Sequence, residues 1–332
     1  MKRENLYFGI IIIILVFEIA LAAYNSFNNN KEENEYLVTV IVDDSSSDRW
    51  ISFREGIEQG AKDYNIKLNV VSTGKFGSAK DEYQIVNREI ENGTDGIIIE
   101  MYDSSNTWEE LESIQSRLPV IFVETDIMPE EIYTTVVPDN YEIGKDIADT
   151  ILKNASERKS ISIGILSGNQ NQLSLQKRLN GFKDAIENSN TGTKCEIKWE
   201  ISSSYSNGIN AQNELNVISE KQRQSPVDVI VSLENDKTEL AIDYILSLDN
   251  KVSKLYGVGC SEKNVYYLDK GLVDILFVPN EFNMGYQSIK EIAGKLKFKN
   301  DTSENILIGY LKVDKENLYE ENYQKVLFPI VQ

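Results

Sequence analysis

The amino-acid sequence predicts an α/β protein: two doubly wound parallel-sheet lobes joined by a three-strand hinge, preceded by one N-terminal transmembrane helix. Three observations predict it. A single long apolar run lies near the N-terminus, short β-rich runs alternate with amphipathic helical stripes from Tyr36 onward, and that alternation restarts near residue 160.

The N-terminal segment comes first. Lys2 and Arg3 precede an apolar stretch over 6–23 that is interrupted only by Glu18. Its length suits a helix crossing the hydrocarbon core. The basic residues ahead of it place the N-terminus in the cytoplasm and the rest outside. Ala20-Leu21-Ala22 also resembles a signal-peptide cleavage site, so cleavage stands as the alternative. The length of the run and the position of Glu18 favour an uncleaved anchor over 1–24. No cysteine follows it, which excludes lipid attachment in the manner of bacterial lipoproteins. The Asn- and Glu-rich stretch 25–35 reads as a flexible linker.

A strand over 36–42 opens the soluble part, and the helix after it carries Trp50, Phe53, Ile57, Ala61 and Tyr64 at three- and four-residue spacing. A strand over 67–71 precedes a helix striped by Ala79, Tyr83, Val86 and Ile90. The continuous apolar run 96–101 is what a strand buried on both faces of a parallel sheet requires. Trp108, Leu111 and Leu118 mark another helix, and 119–124 a fourth strand.

The second half repeats the pattern. Strands are predicted over 160–166, 196–201, 227–233, 254–259 and 273–278. The helices between them carry Leu175/Leu179/Phe182/Ile186, Ala211/Leu215/Ile218, Leu240/Tyr244/Ile245/Leu248 and the short Tyr266/Leu268 pair. Phe53-Arg54-Glu55-Gly56-Ile57 and Asn180-Gly181-Phe182-Lys183-Asp184 occupy equivalent first-helix positions, so one topology is used twice. A last helix carries Met284, Ile289, Ile292 and Leu296, and a strand-like run covers 306–313. The expected lobes are 36–138 with 279–305, and 139–278 with 306–332, with hinge crossings near 137–140, 278–280 and 305–308.

Composition narrows the chemistry. The 332 residues suffice for two domains beyond the targeting segment, and 53 Asp+Glu against 34 Lys+Arg exclude a nucleic-acid partner, whose phosphates would be repelled. The chain has no histidine, which removes serine–histidine and cysteine–histidine catalysis and the commonest metal ligand. Cys195 and Cys260 form no CxxC pair, so zinc and thioredoxin-type readings fail. Glu124 and Asp126 make a close acidic pair with no partner base, and a solvated loop accounts for them better than acid–base chemistry. Neither an enzyme nor a cofactor or metal is expected.

Several stretches in order then carry a resemblance: the first strand running into Trp50-Ile51-Ser52-Phe53-Arg54-Glu55-Gly56, then Gly93-Thr94-Asp95-Gly96, Pro119-Val120-Ile121-Phe122, Val137-Pro138-Asp139-Asn140 with Gly144, Arg178-Leu179-Asn180-Gly181-Phe182, and Glu234-Asn235-Asp236. Residues 36–332 resemble the type 1 periplasmic binding proteins of the ribose- and galactose-binding kind, related to the ligand domains of LacI-type repressors. The resemblance implies a periplasmic binding protein-like I fold with a sugar between the lobes. It implies ligand contacts from Ser47, Arg49, Trp50, Glu124 and Thr125 in the first lobe, and from Arg178, Asn235 and Asp236 in the second. Trp50 has a core role as its alternative, Arg178 an exposed ion pair, and Asn235 and Asp236 a capping role before their helix. On this reading Arg178→Ala weakens ligand binding and leaves melting intact.

The departures are at Gly259-Cys260, where sugar binders of the family often carry an aspartate, and at Pro279-Asn280, where they carry a glutamine. The expected function is a membrane-tethered, extracytoplasmic solute-binding protein for a sugar or sugar-like ligand, anchored at the bacterial cell surface. Its expected partner is an ABC permease or a membrane sensor histidine kinase.

Overall fold

A computed structural model of the chain describes residues 15–19, 35–105, 108–128, 132–202, 211–248, 253–299 and 302–327. The predicted anchor over 1–24 and linker over 25–35 therefore lie almost wholly outside the described residues. Among the described residues no helix is long and apolar enough to cross a membrane.

From Tyr36 onward the chain forms one compact unit holding two six-stranded sheets. The first is ordered β11-β5-β4-β3-β1-β2. Its strands are β1 (Tyr36–Ile41), β2 (Ile66–Val70), β3 (Gly96–Ile99), β4 (Val120–Val123), β5 (Thr134–Pro138) and β11 (Asn305–Ile308), all paired in parallel. The second, β12-β10-β9-β8-β6-β7, contains β6 (Ser160–Gly168), β7 (Lys194–Ser202), β8 (Val229–Ser232), β9 (Lys254–Val258), β10 (Ile275–Pro279) and β12 (Tyr310–Val313). Only β12 runs antiparallel, against β10. Apart from the added edge strands, both sheets follow the order 2-1-3-4-5, so the repeated topology expected from the pattern is present.

Central strands explain the composition. Every residue of β3 (GIII), β4 (VIFV) and β8 (VIVS) is buried, because helices cover both faces of each sheet. The first-lobe helices are α1 (Ile51–Asp63), α2 (Ala79–Glu91) and α3 (Trp108–Gln115). The second lobe carries α4 (Asn140–Asn154), α5 (Leu173–Glu187), α6 (Ala211–Gln224), α7 (Asn235–Leu246) and α8 (Glu262–Asp269). The chain ends with α9 (Glu281–Phe298) and α10 (Glu321–Leu327). Phe53 and Ile57 of α1 share a core with Met284, Ile289 and Ile292 of α9, so the helix that follows β10 returns to the first lobe. Conversely α4 follows β5 but packs with α5 in the second.

These two helix pairs are built alike. A Cβ at Gly144 of α4 would stand 1.9 Å from the Arg178 carbonyl oxygen, and one at Gly181 of α5 would stand 2.1 Å from that of Tyr141. In the first lobe a Cβ at Gly56 would meet the Phe282 oxygen at 2.1 Å, and one at Gly285 the Phe53 oxygen at 2.3 Å. Only glycine permits backbones this close. The matching motifs around Gly56 and Gly181 in the two halves thus have a shared cause.

The chain passes between the sheets at Asp139, Asn280 and Gly309, and the Asn280 amide donates to the Gly309 carbonyl at 2.9 Å. Asp139 and Asn280 each cap the helix they begin, accepting from the amides of Glu142 and Asn283. Two details differ from the pattern reading. The run 306–313 is two strands in different sheets, broken at Gly309, so residues 306–308 lie with the first sheet and the last crossing comes after Ile308. Asn235 is the first residue of α7, and Glu234, in extended conformation with no side-chain cap bond, precedes it.

Candidate functional site

Seven strand ends of the two sheets converge on one cleft. Arg49 follows β1, Glu100 follows β3 and Glu124 follows β4. From the second sheet come Gln172, Ser174 and Arg178 after β6, Glu234 and Asn235 after β8, Gly259 after β9, and Pro279 at the end of β10, while Glu281 opens α9, back in the first lobe. Carboxyl ends beside a reversal of strand order are where open α/β sheets place ligands. Larger hollows of ≈ 380 and ≈ 390 Å³ lie at the amino ends of strands, near Tyr256 and near Leu118. Topology and converging charge favour the cleft over both.

Arg178 is its centre. The side chain is 2 % exposed. Its Nε donates to Asn140 Oδ1 at 2.8 Å, its Nη1 to the Leu233 carbonyl at 2.9 Å, and its Nη2 to Glu124 Oε1 at 2.9 Å. Two of these partners belong to its own lobe and Glu124 to the other, so the guanidinium ties the lobes together. The fork geometry of arginine suits such a junction. Glu124 is held with φ at 64°, while the Thr125 amide donates back to the Val123 carbonyl at 2.6 Å. That γ-turn is strained for a non-glycine residue and aims the carboxylate across the cleft.

Arg49 stacks over the Trp50 ring at 4.1 Å and reaches Glu100 at 3.5 Å. Burial acts to lower its pKa, but Glu100, Glu124, Glu281 and Asp236 outweigh that effect and hold the guanidinium above its ordinary range. Burial pushes the Glu100 and Glu281 carboxyls up to about 8, with Arg49 pulling the other way in both cases. Burial also raises Glu234 against the pull of Lys237. Three buried atoms of the site have no hydrogen-bond partner among the described residues: Arg49 Nε, Glu124 Oε2 and Glu281 Oε2.

The lobes meet directly around the cleft. The Leu173 amide donates to Ser104 Oγ at 2.8 Å, Gln172 Nε2 to the Met101 carbonyl at 3.0 Å, and Lys177 pairs with Asp126 at 2.9 Å. On the other side the Glu262 amide donates to Asp48, and Lys75 pairs with Asp236. The cavity left between the lobes is ≈ 20 Å³, room for roughly one water. Small-molecule pockets commonly span about 300–1,000 Å³, so admitting a sugar requires the lobes to part.

The residues predicted for the site divide. Arg49, Glu124, Arg178 and Asn235 line the cleft. Trp50 does not: it is 0 % exposed, its ring packs on Phe53 and its Nε1 donates to the Asp43 carbonyl, leaving no face for a ligand. Its place at the end of the turn Asp48–Trp50, one helical turn ahead of Phe53 on the apolar stripe of α1, accounts for this core role. Ser47 lies outside the cleft lining and turns its carbonyl to Arg54. Thr125 is fully buried and spends its hydroxyl on Ser104 and the Ser174 amide across the lobes. Asn235 uses its amide on Glu239, Ser261 and Asn264, which shapes the cleft wall. Asp236 stands on the rim, where burial raises its carboxyl but Lys75 and Arg49 outweigh it and hold it below the ordinary range. The alternative of an exposed Arg178 is overturned by its burial.

Glu100, Gln172, Ser174 and Glu281 were not singled out from the sequence, and Glu234 only as part of the motif Glu234-Asn235-Asp236. Glu100 directly follows Ile99 of β3 and Glu281 lies two residues past Pro279 of β10, and that position is the signal that finds them. Asp126 is no solvated loop residue: it is 2 % exposed and bonds Asn140 as well as Lys177.

Comparison with curated proteins gives no match. Solved structures with the same fold include a carbohydrate transporter solute-binding protein from Agrobacterium radiobacter in complex with D-arabinose (TM-score 0.79, 17% identity, 89% of this chain and 100% of that one). A second is GanP, a glucose-galactose binding protein from Geobacillus stearothermophilus (TM-score 0.74, 18% identity, 86% and 100%). The XylFII-LytSN complex also matches (TM-score 0.72, 18% identity, 85% and 98%). The periplasmic binding protein domain profile matches residues 38–300. With most of its length covered by that profile, the chain belongs to the periplasmic binding protein family, a family of binding proteins and not of enzymes.

Proposed function

We propose that this protein binds a small carbohydrate outside the cell, held at the membrane by its N-terminal segment and working by closure of its two lobes about the hinge. The observation that carries the reading is the cross-lobe junction of Arg178 with Glu124, Asn140 and the Leu233 carbonyl, set in a cleft of charged and amide side chains. A hydroxyl-rich ligand leaving water needs fixed hydrogen bonds of that kind in exchange. Support also comes from structural neighbours: one is in complex with D-arabinose, one is a glucose-galactose binding protein and one is bound to myo-inositol. Ligand bound across the cleft would favour a closed form by its contacts with both lobes.

The closed form then serves ABC-type sugar uptake. A second reading, delivery of the signal to a membrane histidine kinase, draws support from the XylFII-LytSN complex among the neighbours and from the uncleaved anchor expected over 1–24. Thermal-shift screening of the full chain, in a mild non-ionic detergent, against pentoses, hexoses, amino sugars and inositols tests the ligand class. Stabilisation by at least one of them that saturates with concentration is expected. A flat response across the whole panel contradicts the reading.

A further inference from the structure

Acidic groups outnumber basic ones around the cleft. Asp43, Glu100, Glu124, Glu234, Asp236 and Glu281 stand in it or on its rim, against Arg49, Arg178 and Lys75. Arg178 is committed to Glu124 and Lys75 to Asp236, while Arg49 reaches Glu100 only at 3.5 Å. Glu281 is 6 % exposed, lines the cleft, and keeps Oε2 without a hydrogen-bond partner among the described residues. Glu124 Oε2, on the same lobe, is in the same condition, and Glu124 adds to the burial that raises the Glu281 carboxyl.

These orphaned oxygens call for donors. Sugar hydroxyls supply donors alone, whereas an ammonium also supplies the positive charge that lets Glu281, raised to about 8 by burial, ionise beside Glu124. The third orphan, Arg49 Nε, is a donor and calls for an oxygen acceptor. A simple amine or polyamine offers no such acceptor.

Resting on the carbohydrate reading above, we propose that the cleft is built for an amino sugar, its ammonium received between Glu281 and Glu124 and a hydroxyl oxygen by Arg49. The ammonium head is about the size of the cavity that remains between the closed lobes. The sugar ring beyond it requires the lobes to stand further apart than they do here.

The test is calorimetric titration of the full chain in detergent at pH 6.5. The ligands are D-glucosamine, D-galactosamine and D-mannosamine, each beside its neutral hydroxyl counterpart. At least one amino sugar is expected to bind tenfold or more tighter than its counterpart, about 1.4 kcal/mol. Glu281→Gln is expected to narrow that preference below about threefold, with wild-type folding verified by circular dichroism. Equal or tighter binding of the neutral sugars overturns the inference and leaves the carbohydrate reading standing. Binding of neither class removes both. A preference undiminished in Glu281→Gln overturns the assignment of the ammonium site. The wild-type comparison decides the ligand class even where the variant fails to fold.

Discussion

Replacing Arg178 with alanine should open the protein and also destabilise it, and the two effects have separable sizes. The side chain is 2 % exposed and makes three hydrogen bonds. Its bond to Glu124 crosses the cleft, and breaking a buried pair by removing one partner costs about 3–5 kcal/mol while the other stays buried. Opening the lobes rehydrates Glu124, so that cost falls on the open–closed equilibrium. The bonds to Asn140 and the Leu233 carbonyl lie within the second lobe and are lost whether the lobes are open or shut. At about 1–1.5 kcal/mol each they remove about 2–3 kcal/mol from the folded state. At about 2–4 °C per kcal/mol, the melting temperature falls by roughly 4–12 °C. Glu124→Gln spares the second-lobe bonds, so it should open the cleft with a smaller loss of melting temperature. The assays are differential scanning calorimetry and energy transfer between dyes on the two lobes. A shift below about 2 °C for Arg178→Ala would refute the reasoning and restore the expectation, drawn from sequence, of binding lost with melting intact.

Two further outcomes follow from the same geometry. Gly285→Ala sets a methyl against the Phe53 carbonyl oxygen, at 2.3 Å before any relaxation, and should destabilise the first lobe by about 1–3 kcal/mol in denaturant unfolding. Unchanged stability would show that α1 and α9 move apart freely. Glu100 and Glu281, pushed up to about 8 in the closed form, hold protons that an unfolded chain releases near pH 4.3. Beside Arg49, Asp43 and Glu124 of their own lobe, and facing Arg178, Glu234 and Cys260 across the cleft, they contribute stability present in full below that pH and lost as pH rises to about 8. Asp228 and Asp236 are shifted the other way and titrate in more acidic solution. The melting temperature should therefore be lower at pH 8.5 than at pH 6, with a shallower slope in Glu281→Gln. An equal slope in that variant removes Glu281 as a source of the dependence.

The doubled sheet was legible because strands buried on both faces read as unbroken apolar runs, as in β3 and β4, and because Gly56 and Gly181 sit in matching motifs. The interval containing β5 and α4 was less so. There the hinge and the α4 helix follow one another within a few residues, and the spacing of Ile143, Ile147 and Ile151 was the available signal. Apolar character could not show that 306–313 is divided between two sheets, since nothing but Gly309 marks the crossing. In the site, the resemblance to the family pointed to Arg49, Glu124, Arg178 and Asn235. Periodicity could not decide which way Trp50 faces, because one stripe serves both the core and the cleft rim. Glu281 was hidden behind the departure at Pro279-Asn280: the next residue, and not those two alone, supplies the charged group there.

The most direct measurement follows the distance between the lobes by energy transfer as sugar is titrated into the full chain, with one dye on each lobe. A hinged binding protein predicts a single saturable change in that distance, one ligand per chain, and its loss in Arg178→Ala. A distance that stays constant while a sugar binds would contradict closure as the working motion.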